Sequence, residues 1–300
     1  MNVIEVRELC KSYGRINALD HLTVSFAANK ITGLIGRNGA GKTTLLKLIA
    51  GHLHPSSGEL KVFAQRPFDN LAVSAHTILI NEDIIFPDSF MLSDILKEIT
   101  PFYANWQAPL AKALFDYFRL NPKQRHNNLS KGSKSIFNAI VGIAARCPLT
   151  LLDEPTAGMD SAVRKDFYRA LLKDYLDFPR TIILSSHLLG ELEEILEDIF
   201  LIDQGKKYLH LPVLELKEYA VGLRGSAEAI LNIVGEQDII YREDFGKGSL
   251  YLVAKAANLG GRLERIKAGG IEIAPVPIDD LCNYLTSKTK GGINDVFKRD

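Results

Sequence analysis

The chain has 300 residues, 46% of them hydrophobic, enough for one large core or two moderate ones. Its 36 basic and 36 acidic residues cancel, so the global balance points to neither nucleic acid nor an anionic membrane surface as a partner. Cys10, Cys147 and Cys282 lack metal-ligand spacing, no apolar run approaches the roughly 20 residues that span a bilayer, and the first residues do not read as a secretory signal. Reduced thiols and a cytosolic location are expected.

Residues 2–9 and 21–27 alternate apolar and polar side chains and predict strands of a small antiparallel sheet. Between them Lys11-Ser12-Tyr13-Gly14 places an aromatic on a turn; Tyr13 is either a cover for the strand ends or a ring that stacks on a nucleotide base. The apolar run 31–35 predicts a buried strand. It leads into Gly36-Arg37-Asn38-Gly39-Ala40-Gly41-Lys42-Thr43-Thr44, which fits the phosphate-binding pattern GxxxxGK(S/T), and then into a helix over 45–50. A triphosphate needs inward-facing backbone N–H groups and a helix N-terminus. Lys42 adds a charge for the β- and γ-phosphates, and the Thr43 hydroxyl is the expected Mg²⁺ ligand. A turn over 54–59 and a strand over 60–63 follow.

From 82 to 148 the pattern turns helical, with helices predicted over 91–99 and 108–120. Phe102, Tyr103 and Trp106 between them are core filler or a docking surface for another protein. Ser130 can cap a helix over 131–146, whose first turn carries Lys131 and Lys134 against the macrodipole; a bound anion would relieve that conflict. Leu149-Thr150-Leu151-Leu152-Asp153-Glu154-Pro155 reads as a buried strand delivering two carboxylates at its C-terminal end. Asp153 is expected to hold Mg²⁺ through water, and Glu154 to orient and deprotonate an attacking water. Residues 181–187 repeat the design and end in His187, placed to bond a γ-phosphate oxygen or to serve structure.

Tyr13, the phosphate loop, Leu129-Ser130-Lys131-Gly132-Ser133, Leu151-Leu152-Asp153-Glu154, Ala157-Gly158-Met159-Asp160 and His187 stand in one order. Over residues 2–210 the chain resembles the nucleotide-binding subunit of ATP-binding cassette (ABC) transporters. The resemblance implies an α/β phosphate-loop NTPase fold: a RecA-like mixed sheet, an antiparallel β subdomain, and a helical subdomain over about residues 82–148. It implies ATP hydrolysis with Mg²⁺. Tyr13 would stack on adenine, Gly36 to Thr44 would hold the phosphates, Glu154 would be the base and His187 the γ-phosphate switch. Ser130 and the Gly132 backbone would reach the nucleotide of a second ATPase subunit, identical or different. A separate membrane permease would hold the pair at the inner face of the membrane.

Two departures stand out. Lys131 and Ser133 replace a glycine and a glutamine of the family signature, with the Lys131 side chain expected to point outward, and Asn81 stands where the family has a Mg²⁺-contacting, partner-sensing glutamine. The Lys-Gly signature, together with Phe102-Tyr103-Ala104-Asn105-Trp106, is similar to a branch serving bacterial exporters of antibiotics. The alternatives are a soluble ABC-type ATPase of translation or DNA repair, or a non-hydrolysing nucleotide switch.

Beyond 211 the pattern changes. A strand at 221–223, a helix over 227–233, a hairpin of 238–242 with 250–254, a helix over 263–268 and a strand over 271–275 predict a small α+β domain. Its β-α-β-β-α-β order is that of a ferredoxin-like domain, closed by a helix over 279–287.

Overall fold

The structure is a computed structural model in which residues 1–186, 189–246, 248–259, 261, 266 and 270–287 are described. Its contacts divide the chain into two units: Met1–His187 with Glu194–His210, and Leu188–Glu193 with Leu211–Asp300.

The first unit holds two sheets. β1 (Asn2–Tyr13), β2 (Ile16–Ala27) and β4 (Ser57–Val62) form an antiparallel sheet in the order β2-β1-β4. β3 (Ile31–Ile35), β5 (Thr77–Ile80), β6 (Leu149–Asp153), β7 (Thr181–Ser186), β8 (Asp198–Asp203) and β9 (Lys206–Pro212) form the second, in the order β5-β6-β7-β3-β8-β9. β3, β6 and β7 are buried at every residue, as parallel strands covered on both faces must be. β1 runs four residues past the predicted strand, so Tyr13 ends a strand and pairs with Ile16 across a tight hairpin. The polar–apolar alternation misses this because the register shifts between Val6 and Leu9, where Glu8 takes φ 47°.

α1 (Lys42–Ile49) shares one core with both sheets: its Leu45, Leu46 and Ile49 pack with Val6, Phe26, Leu151, Ile183 and Phe200. Each such fully buried side chain contributes about 1.5–3 kcal/mol. α2 (Leu71–Ala75), α3 (Leu92–Glu98) and α4 (Ala108–Tyr117) follow, then α5 (Lys131–Ala144) and α6 (Ser161–Asp177). α5 is capped by Ser130 and seats on β5 and β6 through Gly142, where a Cβ would stand 2.7 Å from Ile80 Cγ1. In the same subdomain His126 is buried, its Nε2 bonded to Asn138 Oδ1 at 3.0 Å. Of the aromatics between α3 and α4, Phe102 is 74% exposed, while the rings of Tyr103 and Trp106 stack 6.4 Å apart.

The second unit contains α7 (Val213–Lys217), β10 (Ala220–Ser226), α8 (Ala227–Leu231), β11 (Ile239–Gly246), β12 (Ser249–Lys255), β13 (Glu272–Pro275) and α9 (Ile278–Leu285). Its antiparallel sheet has the order β11-β12-β10-β13 over a core of Leu223, Ile230, Leu252 and Ile271. The helix expected over 263–268 lies outside the described residues, apart from a buried, helical Ile266. Asp279 on α9 accepts bonds from the backbone N–H groups of Leu189 (2.6 Å) and Gly190 (2.7 Å), and Lys217 pairs with Glu193.

Two predictions follow from the first unit's buried polar groups. Asp174 on α6 accepts a bond from Arg146 at 2.6 Å and forms an ion pair with Arg180 at 2.8 Å, and Arg180 is 1% exposed. Asp174→Ala strands those guanidinium groups and is expected to cost about 3–5 kcal/mol of stability, read by denaturant titration. Burial, opposed by the bond to Asn138, holds His126 below the ordinary imidazole value. The unfolded chain therefore takes up this proton first, so the contribution to stability is complete above about pH 6.5 and declines as pH falls below it. Melting curves between about pH 6.5 and 5 should show a shallower decline for His126→Gln than for the native chain.

Candidate active site

β3 ends at Ile35, and the chain turns through Gly36 to Gly41 before α1 begins at Lys42. The turn admits only glycine at two close approaches. A Cβ on Gly36 would lie 2.3 Å from the Ile202 carbonyl oxygen, and Gly41, at φ 108°, would put one 2.5 Å from that of Ala18. The loop is thereby pressed onto β8 and β2, and its open side faces a cavity of about 390 Å³ lined by Tyr13, Arg37, Asn38, Lys42, Thr43 and Glu154.

Lys42 is 7% exposed. Its ammonium donates to the Gly36 carbonyl at 2.7 Å and lies 3.8 Å from Glu154 Oε1. A buried cation demands negative or strongly dipolar partners. Carbonyls and a carboxylate fill that role, and a phosphate oxygen at the same mouth would do so with more charge. α1 carries no acidic residue in its first turn, so its N-terminus adds to the attraction. The residues fit a polyphosphate. Tyr13 lines the cavity with its ring 48% exposed and the Lys11 ammonium 5.2 Å from the ring centre.

The two carboxylates arrive from β6. Asp153 pairs in register with Ser185 of β7. The Ser185 hydroxyl donates to Asp153 Oδ1 at 2.6 Å and accepts from the Glu154 backbone N–H at 2.9 Å. One serine therefore fixes both acids. Glu154 adopts φ 47°, a left-handed conformation costing a residue with a side chain about 1–2 kcal/mol. The turn out of β6 aims its carboxylate at Lys42. The sequence reading passed over Ser185; its signal is a serine at the tip of a wholly buried strand.

A second cavity of about 300 Å³ is lined by Asn81, Glu82, Lys131, Asn138, Asp153 and Glu154, so Glu154 borders both spaces. Thr43 on one side of Glu154 and Asp153 and Asn81 on the other are hard oxygen donors of the kind Mg²⁺ takes. Ser130 and Gly132 line neither cavity. The Ser130 hydroxyl accepts from the Ser133 N–H at 3.2 Å, and a Cβ on Gly132 would meet the Gly158 carbonyl at 2.4 Å. Lys131 is exposed at the rim of the second cavity and pairs with Glu82 at 2.8 Å. His187 lies outside the described residues.

Comparison with known proteins points the same way. Residues 19–157 match the family model described as ABC transporter. The chain is 25% identical over 261 residues to the ABC transporter ATP-binding protein YtrB of Bacillus subtilis, covering 85% of this chain and 87% of that one. It is 28% identical over 239 residues to the bacitracin transport ATP-binding protein BcrA of Bacillus licheniformis, covering 72% of each. Among solved structures, an ATP-binding subunit of an ABC transporter superposes with a TM-score of 0.64 at 23% identity, over 72% of this chain and 92% of that one.

Ser185→Ala removes both bonds that fix the acids. ATP turnover is expected to fall about tenfold, with nucleotide affinity little changed, in a phosphate-release assay paired with equilibrium binding.

Proposed function

From the premise that the chain belongs to the ABC transporter family as its ATP-binding, ATP-hydrolysing subunit, we propose that it drives export through a separate membrane permease. One observation supports the chemistry above the rest: Lys42 of the glycine-rich loop and Glu154 at the tip of β6 face each other 3.8 Å apart across one cavity. A phosphate-binding group and a general base thus meet where a γ-phosphate and its attacking water would lie.

In this reading the amides of residues 36–44 and the Lys42 ammonium hold the β- and γ-phosphates, and Tyr13 stacks on the adenine. Glu154 accepts the proton of the attacking water as its oxygen approaches phosphorus. Asp153, oriented by Ser185, together with Thr43 and Asn81, would hold Mg²⁺, which when bound supplies positive charge to the phosphate oxygens. His187 bonds the γ-phosphate. Ser130 and the Gly132 backbone meet the nucleotide of a second ATPase subunit, identical or different, so that ATP closes the pair and hydrolysis releases it.

Among the described residues no helix is long and apolar enough to cross a membrane. In line with the family resemblance, the transport path is assigned to another chain that holds this one at the inner membrane face. Ile85, 83% exposed, and Phe102 offer apolar contact to such a partner. Export of an antibiotic-like compound is supported by the relative named for bacitracin transport and by the Lys-Gly signature. The balanced net charge gives no reason to add nucleic acid as a partner.

Glu154→Gln keeps the shape and removes the base. Phosphate release is expected to drop at least about 100-fold while the variant remains an ATP-dependent dimer by size-exclusion chromatography with light scattering. A variant that hydrolyses ATP at the native rate would remove Glu154 from the mechanism.

A further inference from the structure

The segment between β5 and α3 is fastened along the residues that lead into α5. The Asn81 carbonyl accepts from Asn138 Nδ2 at 3.5 Å, and Glu82 pairs with Lys131. The Phe86 ring meets His126 edge-on at 4.9 Å and Phe137 at 5.8 Å. Asp88 accepts from Asn127, and the Leu92 N–H donates to the Gln124 carbonyl at 2.9 Å. Most of these ties lie at the surface. The Glu82–Lys131 pair, with side chains 71% and 63% exposed, is weakly held.

The buried tie is different in kind. His126 and Asn138 are 4% and 3% exposed, and their bond has a direction. The imidazole Nε2–H occupies Asn138 Oδ1, which turns the amide N–H toward the Asn81 carbonyl; Asn138 also lines the cavity shared by Asp153 and Glu154. An apolar residue at 138 would leave the imidazole without its acceptor and the loop carbonyl without its donor. The other imidazole nitrogen, Nδ1, is buried with no hydrogen-bond partner among the described residues, so the Asn138 bond is the polar tie that orients the ring.

Resting on the proposed ATPase reading, we propose that His126 and Asn138 are positioning residues for hydrolysis. The imidazole sets the Asn138 amide, and the amide holds the Asn81 loop against the cavity of Asp153 and Glu154, so that loop and α5 move as one piece. Neither residue touches nucleotide. Each acts through the placement of Asn81.

The test compares His126→Leu, Asn138→Ala and His126→Gln in the full chain, below their melting temperatures. The glutamine amide can donate to Asn138 as the imidazole does. Expected are a fall in kcat of about tenfold for His126→Leu and Asn138→Ala at unchanged KM for ATP, and a kcat within about twofold of native for His126→Gln. Hydrogen exchange in the nucleotide-free chain should quicken at residues 82–90 in Asn138→Ala and stay unchanged in β6 and β7. If the leucine and alanine variants lose only melting temperature while kcat and loop exchange stay native, the pair is structural and the proposal is overturned. A glutamine variant as slow as the leucine one would also overturn it. An inactive native chain would instead defeat the ATPase reading, and no kinetic role would then remain for the pair to play.

Discussion

The site depends on one buried positive charge. Lys42 is carried into the protein by the first turn of α1, and at 7% exposure its ammonium has little water to answer it. The glycines at 36 and 41 let the loop fold back so that a carbonyl faces that charge, and the strain at Glu154 brings a carboxylate to within 3.8 Å. Neither arrangement would be worth its cost for a surface lysine. Both make sense around a cation waiting for a polyanion, because a phosphate can displace weaker dipoles at the same mouth.

The sheet turns that local demand into a layered site. β3, β6 and β7 lie side by side in parallel, so their C-terminal ends present the phosphate loop, the two carboxylates and a serine along one edge. All three strands are buried throughout, and the more exposed parts of the site hang from that edge. The Asn81 loop and the start of α5 belong to these exposed parts. Their joint attachment through His126 and Asn138 gives them one shared position rather than two independent ones.

What could be read in the sequence was what the backbone dictates locally. The loop from Gly36 to Thr44 announces itself because phosphate binding restricts both residue type and spacing, and Asp153 and Glu154 do so because two acids after a buried strand need a reason. Ser185 was hidden because its meaning lies in a strand register linking residues 32 positions apart. Nothing in the local pattern marks His126, in a polar loop, or its partner Asn138, inside a largely apolar helix. The extra length of β1 was masked by a bulge that reverses which side chains point inward. In each case the missing information was a contact between distant segments, which no periodicity records.

The second unit carries a consequence for how the molecule can be divided. Asp279 neutralises two backbone donors at Leu189 and Gly190, and Lys217 grips Glu193, so a short stretch that follows β7 in the chain belongs physically to the C-terminal unit. The boundary in the chain and the boundary in space therefore differ. No single cut separates the two units: a chain ended after β9 would keep the stretch while losing the carboxylate and ammonium that hold it, exposing two amides only a few residues beyond Ser185. Replacing the C-terminal unit is in this way constrained by residues that lie between segments of the first unit.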